Sequence, residues 1–182
     1  IEVKGIQGSL IRSMNLKRSM SGVVDAISAD DTAATIHDAL ANDGAEALQS
    51  VLIKLHSGEL APEVQDEAQS TYAAKFNKAD AEIDWHASAA DINRLIRAFN
   101  PWPIAFTQKN GKPLRFYESS VIDDKSVSAV PGAVIDESKQ GIQIATGEGV
   151  INITRLQFPG GKPLAVREFL NGRSLLGEQF PS

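Results

Sequence analysis

Hydrophobic positions along this 182-residue chain follow two periods. Within residues 36–55 and again within 92–99 they recur at three- and four-residue spacing, the period of a helix. Beyond that they alternate every second residue, the period of a strand. The best-defined element lies at the change. Ile92, Leu95, Ile96 and Phe99 fall at i, i+3, i+4 and i+7, one face of a helix. Ser88, with Asp91 three residues on, supplies a cap for the free N–H groups and a carboxylate for the positive helix end. Pro101 stops the helix and pushes Asn100 towards extended backbone. Trp85 and Trp102 bracket it, and the apolar face and both tryptophans are read as core. Arg94 and Arg97 lie off the stripe.

Before this helix the pattern is less regular. Residues 1–21 keep no period, and residues 23–27 read as a short strand. Asp30-Asp31-Thr32 opens a helix that either carboxylate is placed to cap, with Ile36 and Leu40 inward. Asn42-Asp43-Gly44 reads as a stop. A second helix from Ala45 repeats the spacing at Leu48, Val51, Leu52 and Leu55, and Gly58 closes it. Two short antiparallel helices joined at Gly44 are the expectation. Residues 59–84 turn polar, with Pro62, Glu63, Asp66 and Glu67, and read as a surface linker.

After the helix, Ile104, Phe106 and Gln108 alternate with Ala105 and Thr107, and Asn110-Gly111 is a two-residue hairpin signal. Leu114 and Phe116 begin the partner strand, which runs to Ile122. Residues 123–128 are a polar loop. Further strands follow at residues 133–135, 142–144 and 150–158, separated by turns at Ser138 to Gln140 and Gly147-Glu148-Gly149. Pro159-Gly160-Gly161 ends the last strand. A short helix carries Val166, Phe169 and Leu170, and the tail after Gly172 is expected to fray. The fold class is therefore α+β, a helical N-terminal part leading through a capped helix into a small antiparallel barrel. Gly111-Lys112-Pro113-Leu114 returns as Gly161-Lys162-Pro163-Leu164, but the flanking residues differ, so these are two similar turns and not a repeat.

Composition narrows the function. With no cysteine there is neither a disulfide framework nor a thiolate metal site. No apolar run of about eighteen residues spans a bilayer, and no secretory segment opens the chain, which fits a cytoplasmic protein. From the start on Ile1, a fragment or a processed piece is expected. The net charge of −5 is uneven: three basic against eleven acidic residues from Asp31 to Ala90, then eleven against nine from Asp91 onwards. That slight basic excess is weak support for a phosphate partner. His37, His56 and His86 lack metal-ligand spacing and read as surface histidines. No catalytic constellation is complete. Gly147-Glu148-Gly149 is too short to cradle a phosphate, and no Gly-x-Gly-x-x-Gly exists.

One resemblance goes further. Asp84-Trp85 and Ile96-Arg97-Ala98-Phe99-Asn100-Pro101-Trp102-Pro103 resemble the start of the C-terminal domain of methionyl-tRNA formyltransferases. The stretch from Lys139 to Gly149, Lys-Gln-Gly-Ile-Gln-Ile-Ala-Thr-Gly-Glu-Gly, is similar to that family's Lys-Gln-Gly-Ile-x-Val-Ala-Thr-Gly-Asp-Gly strand pair. Thr71 to Phe76, lysine included, resembles its linker, and the helix after Asp31 resembles the last helices of its catalytic domain. The likeness spans about residues 30–172. The resemblance implies three parts: residues 1–58 as a remnant of the catalytic domain, 59–82 as linker, and 83–182 as an oligonucleotide-binding-like barrel. It implies a full enzyme that moves a formyl group from 10-formyltetrahydrofolate to the amine of initiator methionyl-tRNA. It also implies that this chain alone is inactive. The family's Asn-x-His and Ser-Leu-Leu-Pro motifs have no match, and Gln7 stands near where the family's catalytic Asp belongs. No catalytic, cofactor or metal residue is therefore assigned.

What remains for this chain, on that resemblance, is to hold the tRNA. Lys75, Lys78, Arg94, Arg97, Lys109, Lys112, Arg115 and Lys139 are the basic residues nearest the linker, helix and strand turns, and are the expected phosphate contacts. Only Phe106, Phe116 and Tyr117 are considered for base stacking, and Phe106 and Phe116 are read as core, which favours phosphate and shape recognition. The expected partners are initiator methionyl-tRNA and the missing catalytic domain. There is no membrane partner, and a monomer is expected. A free barrel module, or the C-terminal domain of a sugar-amine formyltransferase, is the alternative.

Overall fold

Thr32 starts the first helix, α1 (Ala33–Ser57), because its hydroxyl accepts from the Thr35 N–H while the Thr35 hydroxyl accepts from the Thr32 N–H. The computed structural model describes residues 27–59, 68, 75–122 and 128–181. Most of the strand expected at residues 23–27, most of the linker and nearly all of the 123–128 loop lie outside these. Two expectations for α1 are corrected. The cap is Thr32 and not a carboxylate; Asp31 instead accepts from the Ser28 N–H and the Thr35 hydroxyl. There is also one helix, not two. Gly44 costs a helix interior only about 1 kcal/mol relative to alanine, less than a break that would orphan a turn of hydrogen bonds. The true stop is Gly58, in the left-handed region at φ 74°. Of this helix only Ile36 is buried; Leu48, Leu52 and Leu55, expected to face inward, are exposed.

The chain divides into two units, Ile1–Lys75 and Phe76–Ser182. The second starts inside the stretch read as linker. A single 3₁₀ turn, Ala79–Ala81, brings Ala81 and Ile83 into the core, and the Ile83 N–H donates to Phe106 O at 2.8 Å. The helix α2 (Ala89–Ala98) then forms as its spacing predicts. The Ser88 hydroxyl accepts from the Asp91 N–H at 3.1 Å, and Ala89, Ile92, Ile96 and Phe99 are buried. Trp85 is fully buried, with its indole N–H given to the Thr107 hydroxyl at 3.2 Å. Trp102 departs from expectation. It is 59% exposed, because the Asn100-Pro101-Trp102-Pro103 turn lies beyond the end of α2 and off its buried stripe.

Six strands follow: β1 (Phe106–Lys109), β2 (Lys112–Ile122), β3 (Val134–Ser138), β4 (Gly141–Ala145), β5 (Val150–Gln157) and β6 (Pro163–Ala165). They form an antiparallel sheet in the order β1-β2-β5-β4-β3, with β6 also on β5, an open barrel-like arrangement. Asn110 and Gly111, both at positive φ, make the β1–β2 hairpin turn as the dipeptide predicts. In β1 the core face is Thr107, paired with buried Leu114. Phe106 is not core: it pairs with Arg115 on the outer face and is half-buried. Phe116 is buried, as expected.

The last helix, α3 (Val166–Phe169), buries Val166 and Phe169. The tail beyond it does not fray. Leu175 and Phe180 are buried, Val134 N–H donates to Glu178 O, and Phe180 N–H donates to Gly132 O. Phe180 stacks on Trp85 with ring centres 5.7 Å apart. The tail supplies apolar cover that the short, open sheet lacks.

Candidate nucleic-acid interface

Strand register decides where the cations go. Arg115 is opposite Gln157, Ile142 opposite Ile153, Ser138 opposite Gly141, and Gln157 opposite Pro163. Strands β1, β3 and β5 therefore finish, and β2, β4 and β6 begin, at one end of the sheet. The turns at that end carry Lys112, Lys139 and Lys162, all exposed. The opposite end carries Glu148, whose backbone bridges to Ser88, and beside it Asp84 and Asp91 at the start of α2.

The eight expected cations divide between these places. Lys112 and Lys139 reach solvent at the turn end. Lys109 lies at the same end, but its side chain is only 11% exposed and its Nζ sits 2.6 Å from Glu178, where it pins the tail. Arg115 is half-buried on the outer face, in a row with Phe106 and Gln157. Gln157 in turn accepts from the Tyr117 hydroxyl at 2.9 Å and donates to Gly161 O at 2.8 Å. Arg94 and Arg97 lie on α2, away from the turns. Arg94 is held by Asp91 on the same helix, and Arg97 occupies its last turn, half-buried. Lys78 is exposed just ahead of the 3₁₀ turn, and Lys75 is exposed in the first unit.

Sequence reasoning passed over two cations at the turn end. Lys162 occupies the second Gly-Lys-Pro turn, so the recurring motif was the available signal. Arg173 lies over the Phe158 ring, 4.3 Å from its centre. No local pattern announces that contact. The unit from Phe76 to Ser182 holds twelve basic and twelve acidic residues, so its positive end reflects placement and not excess charge.

The rest of the unit offers little covalent chemistry. The buried hydroxyls are engaged: Thr107 accepts from Trp85, and Thr146 lies within 2.8 Å of both Glu148 O and Gly149 O in the β4–β5 turn. His86 is exposed beside Asp84, and in the first unit His37 is exposed beside Asp38. Among the described residues no three histidine or carboxylate side chains group as metal ligands, and no helix is long and apolar enough to cross a membrane. The arrangement suits recognition of an anionic surface by exposed lysines.

Two structures of HypX variants from Aquifex aeolicus superpose on the chain with TM-scores of 0.60 and 0.59, at 18% and 19% identity. They cover 85% and 86% of this chain, which spans only 29% and 28% of theirs. A third HypX structure, in complex with tetrahydrofolic acid, gives a TM-score of 0.53 at 20% identity over 69% of this chain and 22% of that one. At such identities the likeness is one of fold. Residues 75–174 match the family described as formyl transferase, C-terminal domain, which is more than half of the chain. On that match the chain belongs to the formyltransferases, through their C-terminal domain.

Proposed function

We propose that this chain is the C-terminal, tRNA-holding part of a methionyl-tRNA formyltransferase. Residues 1–58 are the end of its catalytic domain, 59–82 the linker and 83–182 the barrel. The donor, 10-formyltetrahydrofolate, and the transfer chemistry belong to the remainder of the enzyme. A HypX structure holding tetrahydrofolic acid accords with a folate donor in proteins of this fold. A formylation assay with this chain as the only catalyst is therefore expected to give no product above background; product would refute the division of labour.

The observation that carries the tRNA reading is the presence of Lys112, Lys139 and Lys162, all exposed, on three turns at one end of the sheet. Point charges on separate turns follow a phosphate backbone and do not read bases. Binding to initiator tRNA is expected to weaken as salt rises. Replacing all three lysines by alanine is expected to lower the salt slope by about 2–3, since each neutralised phosphate contributes about 0.7–0.9. An unchanged slope would remove this end of the sheet from the interface.

A second reading, a formyltransferase that acts on another amine such as a sugar amine, draws on the even balance of charge in this unit. Salt-insensitive association with tRNA, or none, would favour it.

A further inference from the structure

The sequence holds two Asn-Gly dipeptides, Asn110-Gly111 and Asn171-Gly172, and all four residues are exposed. Asparagine before glycine is open to attack by its own backbone, because glycine has no side chain to crowd the approach. The attacking atom is the glycine nitrogen. What holds that N–H, and how freely the backbone around it turns, therefore decides which dipeptide reacts.

The fold treats the two differently. The Gly172 N–H donates to Phe169 O at 3.4 Å, and the Asn171 N–H donates to Glu168 O at 3.3 Å. Phe169 and Leu175, on either side, are buried. Between them Arg173 lies over the Phe158 ring and the Ser174 hydroxyl donates to Glu137. Turning the Asn171 backbone towards attack would pull the tail off the core. Asn110 and Gly111, in contrast, are the two turn residues between β1 and β2. Among the described residues none accepts from the Gly111 N–H. Lys109 and Lys112 pair with each other across the hairpin, and the tip beyond them faces solvent, so it opens without disturbing the core.

We propose that Asn110 is a self-modification site: with water as the only co-reactant it converts to aspartate and isoaspartate, while Asn171 is spared. The Gly111 nitrogen attacks Asn110 Cγ and forms a new C–N bond. Its proton passes to the side-chain amide nitrogen, whose bond to Cγ breaks, and ammonia leaves. Water then opens the cyclic imide at either carbonyl. One opening restores the backbone as Asp-Gly, which suits this turn as Asn-Gly does. The other routes the backbone through the side chain and lengthens the turn. Either product puts a carboxylate beside Lys112, one of the three exposed lysines of the turn end. The effect on binding rests on the tRNA reading above; the modification itself does not.

The test ages the whole chain in heavy-oxygen water, folded and in urea, and then digests it with trypsin in ordinary water. Peptides 110–115 and 168–173 report on the two sites separately. In the folded chain, heavy oxygen is expected to enter 110–115 several-fold faster than 168–173. In urea the two are expected to label at similar rates. Equal labelling in the folded chain, or faster labelling of 168–173, would overturn the proposal. Asn110→Asp, which reproduces one product, is expected to lower the salt slope of tRNA binding by up to about 0.7–0.9, the share of one phosphate. An unchanged slope would overturn the effect on binding and leave the modification site standing. A parent chain that bound no tRNA would sink the nucleic-acid reading, and the peptide labels would still decide the site.

Discussion

Replacing Gly147 by alanine is expected to cost the folded state about 3–5 kcal/mol, in the range of severe core substitutions. The Gly147 N–H lies 2.9 Å from Trp85 O and 3.0 Å from Ala87 O, which brings the β4–β5 turn against the segment leading into α2. A Cβ on Gly147 would stand 1.8 Å from the His86 carbonyl oxygen and 2.6 Å from its carbon. Those atoms are backbone and cannot swing aside. The segment would have to retreat, losing both contacts and the Ala89 N–H bond to Glu148 O, and loosening Trp85. Urea unfolding followed by Trp85 emission checks this: the midpoint falls while the slope is kept. Gly172→Ala is the control. Nothing lies within 4 Å of a Cβ there, and a change within about 0.5 kcal/mol is expected. A Gly147→Ala protein as stable as the control would show that the close approach is not what holds this junction.

Phe180→Ala is expected to destabilise the second unit by about 3–5 kcal/mol, as for other large aromatic deletions from a core. Phe180 stacks on Trp85 and meets Phe116 at 6.3 Å, so its removal opens a space between the helix segment and the sheet. The emission of Trp85 is expected to shift to the red as water reaches the indole. A variant that kept both the midpoint and the emission of the parent would mean that the tail adds nothing to the core.

That tail marks the limit of what the sequence makes legible. Local features were readable where one element contains its own determinants. Ser88, the four apolar positions of α2 and Pro101 lie within sixteen residues of one another, and Asn110-Gly111 specifies its own turn. Phe180 is not readable, because its partners lie far back in the chain at Trp85 and Phe116, and a short tail with two adjacent leucines and one aromatic has no period. Gly44 misled because glycine weakens a helix without ending it, whereas Gly58 ends one by taking a left-handed φ. Trp102 misled because residue type argues for burial and only the path of the Pro-Trp-Pro turn shows otherwise. For the interface, lysines near turns were visible in the sequence. That three turns share one end of the sheet follows only from register, so the sequence alone neither singles out Lys162 nor shows that Lys109 is engaged by Glu178.

The stacking of Phe180 on Trp85 also means that the tail of the second unit returns to the segment that leads into α2. A polypeptide that leaves near where it entered is a closed circuit in space, and it can be carried between or behind other domains without forcing them apart. The same geometry makes the unit a suitable scaffold for circular permutation. A linker would join the tail to the segment ahead of Trp85, and new termini opened at the exposed Asn110-Gly111 turn would leave the aromatic cluster uncut.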